Sequence, residues 1–342
     1  MQSEQVLPWE RLAGKTILLS GATGMIGKCI VEVLMEYNRN CSIDQQVHVI
    51  ALSRNAETAR QRLREYWSQE AFRYLPCDVN AKLPECGQVD YIVHAASNTH
   101  PLQYSQDAVG TITSNVIGTK NLLDYAVSHQ TERFCFVSSV EVYGENRGDT
   151  DRCKEDYLGY IECNTLRAGY PESKRVGEAL CNAYAKTYGL DFVIPRLSRT
   201  YGPTMLMSDS KAIAQFIKKA AAGEDIVLKS AGTQLYSYTY AMDAAMGILT
   251  VLLKGESRQA YNISDVESEV TLRNIAEWLA EDNGVRVIYD LPDAVEQAGY
   301  STATKALLDV EKITGLGWKP QVHMREGLQR TVESLAEYIQ NT

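Results

Sequence analysis

The chain lacks any long apolar run. Nothing in its 342 residues approaches the ~18 consecutive apolar positions that a membrane-spanning helix needs. Its opening, MQSEQVLPWERLAGK, has no charged-then-apolar signal pattern. No membrane partner and a cytoplasmic location are therefore expected. A Lys/Arg block is also missing, and 34 basic against 43 acidic residues give a formal net charge of -9, which speaks against a nucleic-acid partner. The eight cysteines form no C-x-x-C pair, and neither they nor the five histidines show metal-ligand spacing. No metal is expected; the cysteines read as scattered, reduced, small apolar side chains. Internal repeats and low-complexity segments are absent as well.

What is present is the composition of an ordinary globular protein, 45% hydrophobic and 23% charged. The length suits one large α/β unit with a dependent lobe. The most informative stretch is Lys15 to Met35, KTILLSGATGMIGKCIVEVLM, an apolar strand, a turn with glycines at 21, 24 and 27, then an apolar-faced helix. Such a turn leaves N–H groups open at a helix N-terminus, where partial positive charge favours phosphate; a dinucleotide pyrophosphate is the simplest occupant.

Periodicity continues the alternation. Strands are expected at Val47–Leu52, Phe72–Leu75, Tyr91–Ala96, Arg133–Ser138 and Asp191–Pro195, and helices at Glu57–Trp67, Thr111–Val127 and Tyr170–Tyr188. This order predicts a doubly wound parallel α/β sheet of the Rossmann type, with ligands at the carboxyl ends of its strands. From Arg199 the rhythm changes: a loop through Met207, a helix over Lys211–Ala222, short strands at Ile226–Leu228 and Tyr236–Tyr240, then helices at Ala241–Leu253 and Thr271–Glu281. A last amphipathic helix carries Leu328, Val332, Leu335 and Ile339 on one stripe. Residues 1–198 and 236–264 are assigned to the dinucleotide domain, and 199–235 and 265–342 to a smaller C-terminal α/β substrate lobe.

Several residues carry candidate chemistry. Ser53-Arg54 closes the second strand where a dinucleotide fold meets the adenosine ribose; an acidic residue there would repel a 2'-phosphate, whereas Ser and Arg accept one, so NADP is slightly favoured over NAD. Asp78-Val79 is placed to meet the adenine edge, although an Asp closing a strand is also common turn chemistry. Tyr170 and Lys174 stand four apart at the head of a helix, with Pro171 in its first turn. An ammonium beside a phenol eases its ionisation toward neutral pH. Ser139 and Glu141 follow a buried strand; if the chain stays extended both face the pocket and Val140 turns away, a hydroxyl for a substrate oxygen beside a carboxylate for a proton. His94 reads as a buried, hydrogen-bonded strand residue.

Taken together these segments are recognisable. GATGMIG, HAAS (94–97), SNVIGT with Asn115 and Gly118, SSVEVYG (138–144), YPESK (170–174) and RLSRTYGP (196–203) resemble, in order and spacing, the extended short-chain dehydrogenase/reductases of the NAD(P)-dependent nucleotide-sugar epimerase/dehydratase type, over about Lys15 to Pro320. HAASNTHPLQY and RAGYPESKRVGE look closest to the UDP-glucuronate decarboxylases. The resemblance implies a cofactor site from Gly21, Thr23, Gly24, Met25, Ile26, Gly27, Ser53, Arg54, Asp78, Val79, Ala95, Ala96, Asn115 and Lys174. It implies Tyr170 as base, Lys174 lowering its pKa, Ser139 bridging to the reacting oxygen, Glu141 as proton-transfer residue, and Ser97 and Tyr143 at the substrate. Family members also often dimerise through the long helix near residue 120 and the helix after Tyr170.

The departures are as informative. Dehydratases place an Asp where this chain has Val140, which weakens a 4,6-dehydratase reading. An arginine usual for the substrate pyrophosphate is Tyr236, a second has no clear match in GYSTATKALLD (299–309), and the usual Asn of R-x-x-N-x-Y-G-P is Arg199. Arg199, with Lys211, is expected to supply the missing positive charge. The function expected is modification of a nucleotide-activated sugar through a keto intermediate, epimerisation or decarboxylation. The alternative is an NADPH-dependent reductase of a keto sugar or a nucleotide-linked or phosphorylated polyol; a non-catalytic NADP-binding protein stands further off.

Overall fold

The computed structural model describes residues 7–99, 106–290 and 304–340. β1 (Thr16–Ser20) leads into α1 (Met25–Arg39), β2 (His48–Ser53) into α2 (Ala56–Arg62), and β3 (Phe72–Pro76) and β4 (Tyr91–His94) precede α3 (Ala108–Ser128). β5 (Arg133–Phe136), the two-residue β6 (Ser138–Ser139), α4 (Gly169–Tyr188) and β7 (Phe192–Leu197) follow. The remainder runs β8 (Arg199–Tyr201), α5 (Ala212–Ala221), β9 (Ile226–Leu228), β10 (Leu235–Tyr240), α6 (Ala241–Lys254), β11 (Gln259–Ile263), β12 (Asp265–Thr271), α7 (Leu272–Asn283), β13 (Val287–Tyr289), β14 (Lys305–Ala306), α8 (Glu311–Gly315) and α9 (Met324–Gln340).

The large sheet has the order β11-β7-β5-β4-β1-β2-β3, with β6 beside β7. All its pairings are parallel. Parallel strands covered on both faces must be apolar throughout, which is why TILLS and YIVH read as unbroken runs rather than alternating ones. Ile17 and Leu19 pack with Ile30, Val31 and Leu34 of α1 and with Ile248 and Leu252 of α6. Leu18 points the other way, to Leu122 and Leu123 of α3 and Cys181 of α4. β1 has β2 on one side and β4 on the other, so the strand order reverses beside it. That switch point opens a crevice at the carboxyl ends of β1 and β4. β4 ends at His94, two residues short of the expected Ala96, because its partners end there too, at Ser20 and Phe136.

The second layer is a small sheet around β10. β12 runs antiparallel along one edge of β10, while β14 (at Leu235 and Tyr236) and β8 (at Tyr238 to Tyr240) lie parallel to it. Tyr201, Tyr236, Tyr238 and Tyr240 pack here with Leu328, Val332 and Leu335 of α9, whereas Ile339 at the end of that stripe is 40% exposed. Segment 236–264, expected wholly in the dinucleotide half, divides: β10 belongs to the small sheet, and α6 and β11 return to the large one. The loop expected from Arg199 begins as β8, since pairing with Tyr238–Tyr240 takes up its backbone groups. The helix expected over Glu57–Trp67 breaks after Arg62 into a tight 3-10 turn at Arg64–Tyr66 that buries Leu63 and Tyr66. Among the described residues no helix is long and apolar enough to cross a membrane.

α4 approaches the sheet closely because Gly177 has no side chain. A Cβ there would stand 2.3 Å from the Phe136 ring, inside any tolerable contact. Gly177→Ala is expected to lower stability by about 1–3 kcal/mol through overpacking, read as a shift in the denaturant midpoint at unchanged m. An unshifted midpoint would show that the helix has room to retreat.

Candidate active site

The glycine turn is built by close backbone approach. Gly21 has φ +72°, and a Cβ on it would lie 2.7 Å from the Ala96 nitrogen; one on Gly27 would lie 2.1 Å from the Gly21 oxygen. The Ala95 and Ala96 amides donate to the Ser20 carbonyl and hydroxyl, each at 3.2 Å, which joins the HAAS segment to the turn. α1 begins after Gly24 with no side-chain cap and no acidic residue in its first turn. The amides of that turn, flanked by half-buried Thr23, Met25 and Ile26, thus meet no acidic side chain of the first helical turn at the positive end of the helix. These residues fit a dinucleotide pyrophosphate.

Around it, Ser53 is buried, its hydroxyl donating to the Tyr74 hydroxyl (3.3 Å) and its carbonyl accepting from it (2.9 Å), while Arg54 is exposed. Asp78 accepts from the Asn80 amide at 2.9 Å, so its carboxylate closes a turn, and Val79 packs where Gly118 leaves space, 2.7 Å from an added Cβ.

Tyr170 lies in the first turn of α4, just after a 3-10 turn over Leu166–Ala168, with Pro171 inside the same turn. Its hydroxyl is hydrogen-bonded by Ser139 and Ser97. Ser139 is positioned by the end of β6, where its hydroxyl also accepts from the Glu141 amide at 3.3 Å. The chain does not stay extended: a 3-10 turn over Val140–Tyr143 begins directly, because Ser139 caps it. Glu141 still faces the cleft and Val140 is still buried, for this helical reason rather than strand alternation.

Lys174, one turn after Tyr170, is 3% exposed. Its Nζ donates to the Val137 carbonyl at 2.8 Å and lies 4.8 Å from the centre of the Phe136 ring. Burial pulls its pKa down to about 8, against the raising influence of Glu178. Burial pushes Tyr170 up to about 12; the Ser139 and Ser97 bonds oppose this and the Glu141 charge adds to it. The lowering expected from the Tyr170–Lys174 spacing is therefore outweighed in this site, because the ammonium turns to Val137 and desolvation of the phenolate dominates.

Asn115, fully buried, bridges two site segments: the Ser97 hydroxyl donates to its Oδ1 at 2.7 Å and its Nδ2 donates to the Ser173 hydroxyl at 2.9 Å. His94 is the buried strand residue expected, held by Ser20 (2.7 Å) and Thr119 (3.0 Å), and burial with the nearby Lys174 charge drives its pKa to about 3. Tyr143, expected at the substrate, is instead 2% exposed; its hydroxyl donates to Asn262 and accepts from Arg196, so it braces the wall behind the cleft. Lys211 precedes α5 and pairs with buried Asp209 at 3.3 Å. Arg199 stacks its guanidinium 3.5 Å from the centre of the Tyr236 ring and pairs with Glu141 at 3.5 Å. The two cations thus have different partners.

Sequence reasoning missed Ser173, the bidentate Glu178–Arg196 pair that also receives the Ser138 hydroxyl (2.6 Å), and Arg167, which stands 3.9 Å from Glu141. Arg167 lies three residues before Tyr170 within a stretch already singled out, the one signal that could have found it.

A doubly wound parallel sheet with an uncapped glycine turn and a Ser139–Tyr170–Lys174 cluster at its carboxyl edge defines a dinucleotide-dependent enzyme of the extended short-chain dehydrogenase/reductase class. Residues 17–264 match the NAD dependent epimerase/dehydratase family, and the chain belongs to it. UDP-glucuronic acid decarboxylase 5 of Arabidopsis thaliana is 32% identical over 316 residues, 91% of this chain and 86% of that protein. UDP-glucuronic acid decarboxylase 1 of Danio rerio is 28% identical over 331 residues, 96% of this chain and 74% of that one. Among solved structures, a dTDP-glucose 4,6-dehydratase from Streptomyces venezuelae with NAD bound is 29% identical, with a TM-score of 0.79 over 94% of this chain and 97% of that one. The UDP-glucose 4-epimerase of Thermotoga maritima, at 21% identity, shares the fold with a TM-score of 0.80 over 95% of this chain and 99% of that one.

A lysine whose pKa falls from 10.5 unfolded to about 8 folded makes the native state bind fewer protons between those values. Its charged burial therefore opposes folding below pH 8, and stability from this group rises toward pH 10.5. In thermal unfolding of the cofactor-free protein, Lys174→Met is expected to gain on the wild type at neutral pH and to lose that margin as the pH climbs to 10.5. Parallel pH profiles for the two proteins would contradict a buried ammonium.

Proposed function

We propose that this protein modifies the sugar of a nucleotide-activated substrate through a transient ketone, as an epimerase or decarboxylase, in the cytoplasm and as a homodimer. The observation that carries the reading is the convergence of Ser139, Glu141 and Ser97 on Tyr170, with Lys174 buried beneath. A bound nicotinamide dinucleotide supplies the hydride acceptor and, in a reaction without net redox change, the donor. Tyr170 removes the proton of the sugar hydroxyl. Ser139 and Ser97, which already bond its oxygen, stabilise the phenolate and orient the incoming hydroxyl. Lys174 holds a positive charge under the same site. The ketone acidifies the neighbouring carbon, and Glu141, on the open side of Tyr170, moves the proton there. Arg199 and Lys211 are substrate contacts on the lobe side, built from 199–235 with the strands and helices after 265. Relatives of known activity favour this reading over a net reductase.

Two finer points belong to the same proposal. NADP is favoured over NAD because β2 ends in Ser53 and Arg54, with no carboxylate to repel a 2'-phosphate. Dimerisation through α3 and α4 is supported by the apolar side chains they leave in solvent, Val109 at 74%, Ile112 at 42% and Ile117 at 43% on α3 and Val176 at 42% on α4.

The deciding experiment incubates the protein with UDP-, dTDP-, CDP- and GDP-sugars and follows mass, with and without added NADPH. Product lacking carbon dioxide, or of unchanged mass with altered retention, is expected without stoichiometric NADPH use. Tyr170→Phe should slow it by roughly 10²–10⁴-fold, the usual weight of a positioned base. Stoichiometric NADPH consumption would select the reductase instead. For the cofactor, Ser53→Asp is expected to weaken NADP+ binding, by fluorescence titration, while leaving NAD+ binding equal or tighter; equal weakening of both would refute the preference.

A further inference from the structure

Three consecutive residues, Val137 to Ser139, bond three successive turns of α4. The Ser139 hydroxyl is bonded to Tyr170, the Val137 carbonyl accepts from Lys174 Nζ at 2.8 Å, and the Ser138 hydroxyl donates to Glu178 at 2.6 Å. Tyr170, Lys174 and Glu178 stand four apart, which stacks them on one face of the helix. The third of these contacts takes no part in the chemistry described above, yet it carries an ion pair. Glu178 receives Arg196 of β7 through two donors, Nε at 2.9 Å and Nη2 at 2.6 Å, and both side chains are little exposed. Arg196 stands opposite Ser138 in the β6–β7 pairing, and its Nη1 donates to the Tyr143 hydroxyl (3.0 Å) and the Glu155 carbonyl (2.7 Å). It is thereby fixed independently of α4, and a bidentate guanidinium–carboxylate pair sets both separation and plane.

Glu178 also answers a charge. Burial keeps His94 of β4 neutral beside the Lys174 ammonium, and it pushes up the thiols of Cys181 on α4 and its neighbour Cys135 on β5. Tyr170 is pushed up to about 12, and the Glu141 charge falls on Tyr170. Glu178, itself paired with Arg196, is the carboxylate that favours the charged lysine against its burial. We propose that Glu178 is a positioning residue of this site: with Ser138 and Arg196 it fixes the height of α4 against β6, and it supplies the negative charge that balances the Lys174 ammonium. Tyr170 lies two turns away on the same helix, so a shift at Glu178 is carried to the phenol, and a misplacement of about 1 Å costs a reacting group up to about 10²-fold in rate. Loss of the Glu178 charge acts by a separate route. With less positive charge beneath Tyr170 its phenolate is harder to form, without any movement of the helix. Glu178 touches neither cofactor nor sugar in this scheme; it acts through Ser139, Tyr170 and Lys174.

The inference rests on the proposed function, and its test has one arm that needs no substrate. Two substitutions separate reach from charge: Glu178→Gln keeps the length and drops the charge, whereas Glu178→Asp keeps the charge and falls short of Ser138 and Arg196. In the cofactor-free protein, isotopically labelled at the lysine ε-carbon and followed by NMR, the Lys174 signal is assigned by its loss in Lys174→Met. It is expected to titrate about one pH unit lower in Glu178→Gln than in the wild type, and to stay in place in Glu178→Asp. With a nucleotide sugar that the wild type converts, kcat at neutral pH should fall about tenfold or more in both variants. The rising limb of kcat against pH should move to higher pH in Glu178→Gln alone. An unmoved limb in both variants would mean a merely structural role and overturn the proposal. An unmoved Lys174 titration in Glu178→Gln would overturn the charge balance, and full kcat in Glu178→Asp would overturn the positioning. If Glu178→Gln does not fold, because Arg196 is left buried and unpaired, Glu178→Leu/Arg196→Met removes both charges together and enters the same titration with the same outcomes. Conversion of no nucleotide sugar by the wild type would count against the proposed function, and the Lys174 titration would still decide the role of Glu178.

Discussion

A positive charge buried in the protein interior is the constraint on which the rest of this site depends. Lys174 has the Val137 carbonyl and the Phe136 ring as its partners, and desolvation brings its pKa to about 8. Holding an ammonium there costs several kcal/mol before any compensation. The arrangement needs α4 pressed onto β5, which Gly177 permits, and needs the β5–β6 link to turn a carbonyl inward at Val137. The same helix position delivers Tyr170 to Ser139, and the same link delivers Ser139 to Tyr170. Packing that accommodates one charge therefore aligns the whole cluster.

The cluster is tied outward on both sides. Toward the glycine turn, Asn115 joins Ser97 to Ser173, and Ser20 joins His94 to Ala96, so the end of β1 and α4 share one chain of polar contacts. Buried networks of this kind are stable only when every member has its partner, which gives the segment from 94 to 97 little freedom. Toward the small lobe the connection is electrostatic, Glu141 to Arg199, and Arg199 rests on Tyr236. Tyr236, at the position where the family resemblance leads to an arginine, is thus the seat for one supplied by the neighbouring strand.

Much of this was legible in the residues. Continuous apolar strands alternating with helices give a parallel sheet because such strands are buried on both faces, and the Gly21–Gly24–Gly27 spacing gives a tight strand-to-helix turn because a side chain at Gly21 or Gly27 would meet backbone. Tyr170 and Lys174 were visible at helical spacing, and His94 as a buried strand residue. What escaped were contacts between segments far apart in the chain. Tyr143 looked like a cleft residue but is drawn into the wall by Asn262, 119 residues away. β8 looked like a loop because three residues, Arg199–Tyr201, show no period of their own; their strand exists only through β10. Arg167 stood in plain view beside Tyr170, yet its approach to Glu141 depends on how two loops meet.

The sequence by itself determined the layer order, the glycine turn between β1 and α1 and the helical spacing of Tyr170 and Lys174, because these follow from periodicity and local spacing within single elements. Only the tertiary structure decided the state of those groups. Desolvation outweighs the helical proximity of Lys174 and raises Tyr170, and folding the small sheet against the Val140–Tyr143 turn brings Arg199 to Glu141, while the turn leading into α4 brings Arg167. Burial and long-range charge are properties of the assembled interior, and no stretch of chain carries them alone.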